Sequence, residues 1–157
     1  MYTLYGSKGS GSAAIEIALE RCAAPYRIVR ASTWEPDSAI AELERVNPLK
    51  QIPTLMLSDG TVMSESGAIL IHLGLMSPEA GLFSSDSGKR AQEIRGLVYI
   101  AANCYSAVSV SDFPERWCAD PDEQTNARVR KAARAQLHRH WEIFADFFPA
   151  APFLTGD

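Results

Sequence analysis

The sequence predicts an α/β domain with element order β-α-β-α-β-β-α, followed by an all-α domain. Three observations carry this. Short alternating apolar runs recur up to Met63, each broken by Gly, Pro or Asn-Pro. Segments of helical period lie between them. After the Ser-, Pro- and Gly-rich stretch Ser77–Gly88, strand signals vanish and only long helical patterns remain. The expected division is residues 1–77, a linker at 78–87, and a partial helical domain at 88–157.

Tyr2 to Tyr5 alternates aromatic and aliphatic residues and predicts the first strand. "GSKGSGS" (Gly6–Ser12) is a loop. Ile15, Ala18, Leu19 and Cys22 then fall at helical spacing, with Ser12 as N-cap and Pro25 as stop. "YRIVR" (Tyr26–Arg30) alternates as a second strand, and "STWEPD" is a loop. Asp37 to Val46 predicts a short helix with Ile40, Leu43 and Val46 inward, ended by Asn47-Pro48. Thr54–Leu57 and Thr61–Met63 form a hairpin about Ser58-Asp59-Gly60. Glu65 to Met76 is the next helix. In the second domain Lys89–Val110 carries Ile94, Leu97, Val98, Ala101, Tyr105 and Val108 on one stripe. Asn126–Phe148 carries Val129, Ala133, Leu137, Trp141, Phe144 and Phe148 on another.

Composition bounds the function. The chain is 46% apolar and 22% charged, as soluble globular proteins are, with net charge −4. That balance argues against a general nucleic-acid or anionic-membrane surface. The basic run "NARVRKAARAQLHRH" reads as the solvated side of an amphipathic helix. Cys22, Cys104 and Cys118 are an odd set without CxxC spacing, which argues against a disulfide framework or zinc site and for a reducing cytoplasm. His138 and His140 point apart on a helix and suggest no metal site. The N-terminus has no apolar signal-peptide core, and no apolar run approaches a membrane span.

Two features of "NPLKQIPTLMLSDGTVMSESGAILIHL" (Asn47–Leu73) point to a site. Proline cannot donate to a strand ladder, so Pro53 marks a strand edge or start. Were Ile52–Pro53 cis, the Ile52 N–H and C=O would face an incoming extended peptide; a trans edge proline is the plainer alternative. Ser64-Glu65-Ser66 opens a helix whose free N–H groups and dipole suit a carboxylate, with simple capping by Ser64 as the alternative.

These residues resemble the glutathione S-transferase family: Asn-Pro, then Gln-Ile-Pro-Thr-Leu, then Glu-Ser before Gly-Ala-Ile. "AANCYSAVSVSDFPERW" is similar to the first long helix of bacterial members, and "PFLTGD" to the capping box of their next core helix. The resemblance implies a thioredoxin-like first domain, a helical domain that looks truncated, a cytoplasmic homodimer, and detoxification by conjugation. It implies glutathione as co-substrate, no metal, and a small hydrophobic electrophile. Ile52 would pair with the cysteinyl backbone, Pro53 would shape the loop, and Glu65 and Ser66 would hold the γ-glutamyl end. Lys50 or Gln51 would approach the glycyl carboxylate. Asn103 and Tyr105 would line the electrophile site, with core packing the alternative for Tyr105.

The reaction needs a thiolate. A cysteine-like thiol has a pKa of ~8.5, and lowering it by about two units takes roughly 2.7 kcal/mol. One hydroxyl donating to the charged sulfur supplies about 1.5–3 kcal/mol and a helix N-terminus about 0.3–1. In the family the activating side chain follows the first strand, which here singles out Ser10 and then Ser12. Aligned to the cysteine-type class, Gly11 stands at the cysteine, leaving Ser10, Ser12 or backbone N–H groups. A flexible Gly-Ser turn is the plain alternative, and Tyr5 is expected to pack. With no cysteine in this loop, a dithiol mechanism is disfavoured. Glutathione-dependent disulfide or peroxide reduction, and non-catalytic binding, remain as alternatives.

Overall fold

The computed structural model describes residues 1–148. The "PFLTGD" capping-box expectation lies outside them. The chain folds as two compact units, Met1–Ser85 and Asp86–Asp157.

The first unit is a thioredoxin-like α/β domain. Its strands are β1 (Tyr2–Gly6), β2 (Tyr26–Arg30), β3 (Thr54–Met56) and β4 (Val62–Met63). They form one sheet in the order β2-β1-β3-β4. β1 runs parallel to β2, with Tyr2 opposite Tyr26, and antiparallel to β3, with Leu4 opposite Leu55. Helices α1 (Ser12–Arg21), α2 (Ile40–Val46) and α3 (Ser66–Met76) cover the sheet.

Alternation along β1 assigns the two faces. Leu4 packs with Ile15, Ala18 and Leu19 of α1, Leu55 of β3, and Ile69 and Leu73 of α3. Its neighbour Tyr5 points the other way, into a smaller cluster with Ala31 and Leu43 of α2. The Tyr5 hydroxyl donates to Glu42 at 2.9 Å, so this ring packs as expected.

The starts of α1 and α2 differ from the sequence reading for reasons the structure shows. Ser12 is not the cap of α1: Gly11 is, and Ser12 lies inside the first turn. Its Oγ instead accepts the Ser7 N–H at 3.3 Å. Gly6 is required here, because a Cβ on it would come within 2.6 Å of Ser12. Helix α2 begins at Ile40 rather than Asp37, since Asp37 is left-handed at φ 57° and cannot continue a right-handed helix.

The second unit contains α4 (Ser87–Tyr99), a π-helical segment at Ile100–Tyr105, α5 (Ser106–Asp112), and α6 (Glu123–Phe147). Asp122 caps α6 by accepting the Thr125 N–H at 2.6 Å. The buried positions along α4–α5 are Gly96, Cys104, Ala107 and Ser111. The predicted stripe through Val98 and Tyr105 is therefore displaced: both are about half exposed, at 50% and 52%. Small residues, not large apolar ones, make the buried face. On α6 the stripe holds at Ala133, Phe144 and Phe148, but Trp141 is exposed. Among the described residues no helix is long and apolar enough to cross a membrane.

Candidate functional site

The loop between α2 and β3 is built around one buried amide. Asn47 Nδ2 donates to the Gln51 carbonyl at 3.2 Å and to Thr54 Oγ1 at 2.9 Å, while its Oδ1 accepts the Leu49 N–H at 3.1 Å. Thr54 Oγ1 donates to the Gln51 carbonyl at 2.8 Å. These bonds fix the turn that delivers Gln51 and Ile52 to the start of β3. Sequence reading treated Asn47 only as a helix terminator. The Asn-Pro pair followed seven residues later by Thr was the available signal.

The Ile52–Pro53 bond is cis. Among the described residues, neither the N–H nor the C=O of Ile52 has a hydrogen-bond partner. A half-buried residue with both backbone groups unsatisfied is uncommon in a folded domain. It offers one donor and one acceptor to an extended ligand. Lys50 stands beside it at φ 53°, its ammonium 2.9 Å from Glu44 in an exposed pair.

Helix α3 opens on a second irregular residue. Glu65 occupies the N-cap with φ 67° and ψ 108°, outside the left-handed helical basin, and no side chain caps the helix. Simple capping by Ser64 is therefore not what the structure contains. A backbone of this kind costs about 1–3 kcal/mol and persists where the surroundings impose it, most often at functional sites. The first turn of α3 has no capping side chain, the kind of helix start at which anions bind.

The loop after β1 places both predicted hydroxyls together. Ser10 Oγ donates to the Ser7 carbonyl at 2.8 Å and lies 2.9 Å from Ser12 Oγ. Ser12 Oγ also lies 3.2 Å from the Ser7 carbonyl and 3.3 Å from Glu16 Oε1. Ser12 is fully buried, whereas Ser10 is half-buried and reachable from outside.

A further cluster, which sequence reading missed, supports this loop. Buried Ser7 donates from Oγ to Glu35 Oε2 at 2.5 Å, and Ser32 Oγ donates to the same oxygen at 2.6 Å. Arg30 pairs with the other oxygen of Glu35. The donors from Ser32, Ser7 and Arg30 hold the Glu35 carboxyl at a pKa of about 2. "STWEPD" gave no sign of this, because Ser7 and Glu35 are far apart in sequence.

An open hollow of about 600 Å³ beside the same loop is lined by Lys8, Ala13, Glu16 and Arg30 among others. It includes neither Ile52 nor Glu65, so it is not the groove that those residues define. In the second unit, Asn103 Nδ2 donates to the Tyr99 carbonyl at 3.1 Å. The core-packing alternative for Tyr105 does not hold, since its ring is exposed. Cys104 beside it is buried, and burial raises its thiol pKa. Among the described residues no His, Cys, Asp and Glu side chains gather as a metal site.

Comparison with known proteins gives a consistent set of relatives. The family model "Glutathione S-transferase, N-terminal domain" matches residues 12–75. The chain is 33% identical to the uncharacterised GST-like protein YncG of Escherichia coli K12, over 82% of this chain and 63% of that protein. It is 30% identical to the glutathione S-transferase GstA of Escherichia coli O157:H7, over 69% of this chain and 56% of that protein. The chain thus spans less than two thirds of the length of these curated relatives. A glutathione transferase homologue from Sulfitobacter, solved with bound glutathione, superposes with a TM-score of 0.85 at 25% identity, over 100% of this chain and 74% of that one. A glutathione transferase from Methylococcus capsulatus gives 0.75 at 26% identity, again over 100% of this chain and 74% of that one.

Proposed function

The chain belongs to the glutathione S-transferase family, and on that premise we propose that it conjugates the glutathione thiolate to a small apolar electrophile. The observation that carries this is the pair of irregular backbone positions: Ile52 with its unpartnered N–H and C=O, and the strained Glu65 at the uncapped start of α3. Together they suit an extended tripeptide with an amino-acid head. The cysteinyl backbone pairs with Ile52 beyond Pro53, and the γ-glutamyl carboxylate takes the first amides of α3 and Ser66. Its ammonium meets the Glu65 carboxylate. Lys50, released from Glu44, and Gln51 serve the glycyl carboxylate. The glutathione bound in the Sulfitobacter homologue supports the assignment of ligand.

Ser10 supplies the activating hydroxyl. Its proton rests on the Ser7 carbonyl, and that acceptor keeps two other donors, the Ser10 N–H at 3.2 Å and Ser12 Oγ at 3.2 Å. Ser10 Oγ can therefore turn toward a sulfur without leaving a buried carbonyl bare. The step is attack of the sulfur lone pair on electrophilic carbon with loss of the leaving group, no enzyme-bound intermediate being formed. Catalysis is positioning plus thiolate stabilisation. Asn103 and Tyr105 are assigned to the electrophile side, and the working form is a cytoplasmic homodimer.

The engaged Ser10 proton favours a second reading, a glutathione-binding protein with little transferase activity. Conjugation kinetics on wild type, Ser10→Ala and Ser12→Ala separate the two. Loss of one charge-assisted hydrogen bond predicts a fall in kcat/KM of roughly tenfold to hundredfold for Ser10→Ala, with a smaller fall for buried Ser12→Ala. Unchanged rates in both variants remove the serine assignment, and absence of glutathione binding removes the transferase reading.

A further inference from the structure

We propose that Glu35 is a positioning residue for thiol activation, acting through Ser7 to hold the Ser10 and Ser12 hydroxyls in place. The proposal rests on the transferase reading above. Its ground is the way Ser7 is used. Ser7 is buried at the junction of β1 and the loop. Its N–H donates to Ser12 Oγ at 3.3 Å. Its carbonyl accepts from the Ser10 N–H at 3.2 Å, from Ser10 Oγ at 2.8 Å, and faces Ser12 Oγ at 3.2 Å. Its own hydroxyl is spent on Glu35 at 2.5 Å. The backbone of one residue, through its N–H and its C=O, therefore sets both candidate hydroxyls, and Glu35 holds the side chain of that residue.

Glu35 is suited to the task because it stays ionised. An ionised carboxylate only accepts, so the Ser7 and Ser32 hydroxyls must both donate to it. Glutamine would present an NH₂ group to one of these donors or to Arg30, and the cluster would lose its consistency. The other charged groups around the loop are Arg30 from β2, Glu16 from α1 on the Ser12 side, and Lys8 of the loop itself.

Positioning and bare charge predict opposite signs. A carboxylate near a developing thiolate disfavours it, so removing charge alone lowers the thiol pKa. Loosening the hydroxyls that stabilise the thiolate raises it. The experiment titrates the ultraviolet thiolate absorbance of bound glutathione in wild type, Glu35→Gln, Ser7→Ala and the double variant, with calorimetric glutathione affinity alongside. We expect the thiol pKa to rise by about one unit in each single variant and no further in the double. Affinity should hold within about twofold, because Ile52, Glu65 and Ser66 are untouched. An unchanged or lowered pKa in Glu35→Gln overturns the proposal and leaves Glu35 as a support of the loop before α2. Should Glu35→Gln fail to fold, Ser7→Ala decides alone, since it leaves Glu35 its bonds to Ser32 and Arg30. Wild type that binds glutathione beside unshifted variants sinks this inference only. Wild type that binds none sinks the transferase reading with it.

Discussion

In the first unit the buried positions are filled by Leu4, Ile15, Leu19, Leu55, Ile69 and Leu73. Among the described residues of the second they are filled mostly by Gly96, Cys104, Ala107, Ser111 and Ala133, with Pro114, Phe144 and Phe148 as the larger members, while Trp117 and Trp141 stand exposed. The first unit gains its stability from apolar area on two faces of a sheet. The helical unit sets small residues beside a cluster of aromatic rings. Tyr99 lies 5.6 Å from Phe144, ring to ring, and its hydroxyl donates to the His140 carbonyl at 3.0 Å. Burial by large side chains leaves a strong periodic signal. Burial by small ones does not.

Substitutions in the two units test this contrast. Leu55→Ala, at 0% exposure on a central strand, should cost about 2–5 kcal/mol by chemical denaturation. A cost below about 1 kcal/mol would mean that the sheet core is looser than it looks. Asn47→Ala should cost about 1–3 kcal/mol, because the amide serves three partners in a buried loop. It should also weaken glutathione binding by calorimetry, which a core variant of equal cost would not do while folded. Asp122→Ala should lower the denaturation midpoint less than either. The Thr125 N–H holds the Asp122 carboxyl below its ordinary value of 3.8. Its cap is thus fully present above that value and lost as pH falls through the depressed one, so strong acid should erase the difference between variant and wild type. Trp141→Ala, at 45% exposure but edge-on to Phe144 at 5.4 Å, should cost about 0.5–1.5 kcal/mol by the same measurement.

The same contrast explains what could be read in advance. β2 was legible residue for residue, because "YRIVR" stands between Pro25 and the polar stretch that opens at Ser32. The Ile-Pro and Glu-Ser positions were legible because proline and a polar triplet are poor core material, and their oddity marks them. The π segment was not, since Ile100–Tyr105 looks like any helical stretch and only the structure shows the buried face running through Cys104 rather than Tyr105. Nor was the Ser7–Glu35 bond, which joins two loops across 28 positions and leaves no local pattern. Ser12 was misread as a cap because residue type alone does not distinguish a hydroxyl at a helix start from one turned back to the preceding strand.

Among the described residues β2 stands at an edge of the sheet, paired with β1 on one side. Such an edge invites another strand, in the worst case from a neighbouring molecule. Arg27 and Arg30 on this short strand discourage that by charge. Arg30 thereby carries two duties, one toward the Glu35 carboxylate and one toward keeping separate molecules apart. Its replacement by an apolar residue would threaten solubility during production as well as the loop it braces, and the two harms would arrive together in one expression trial.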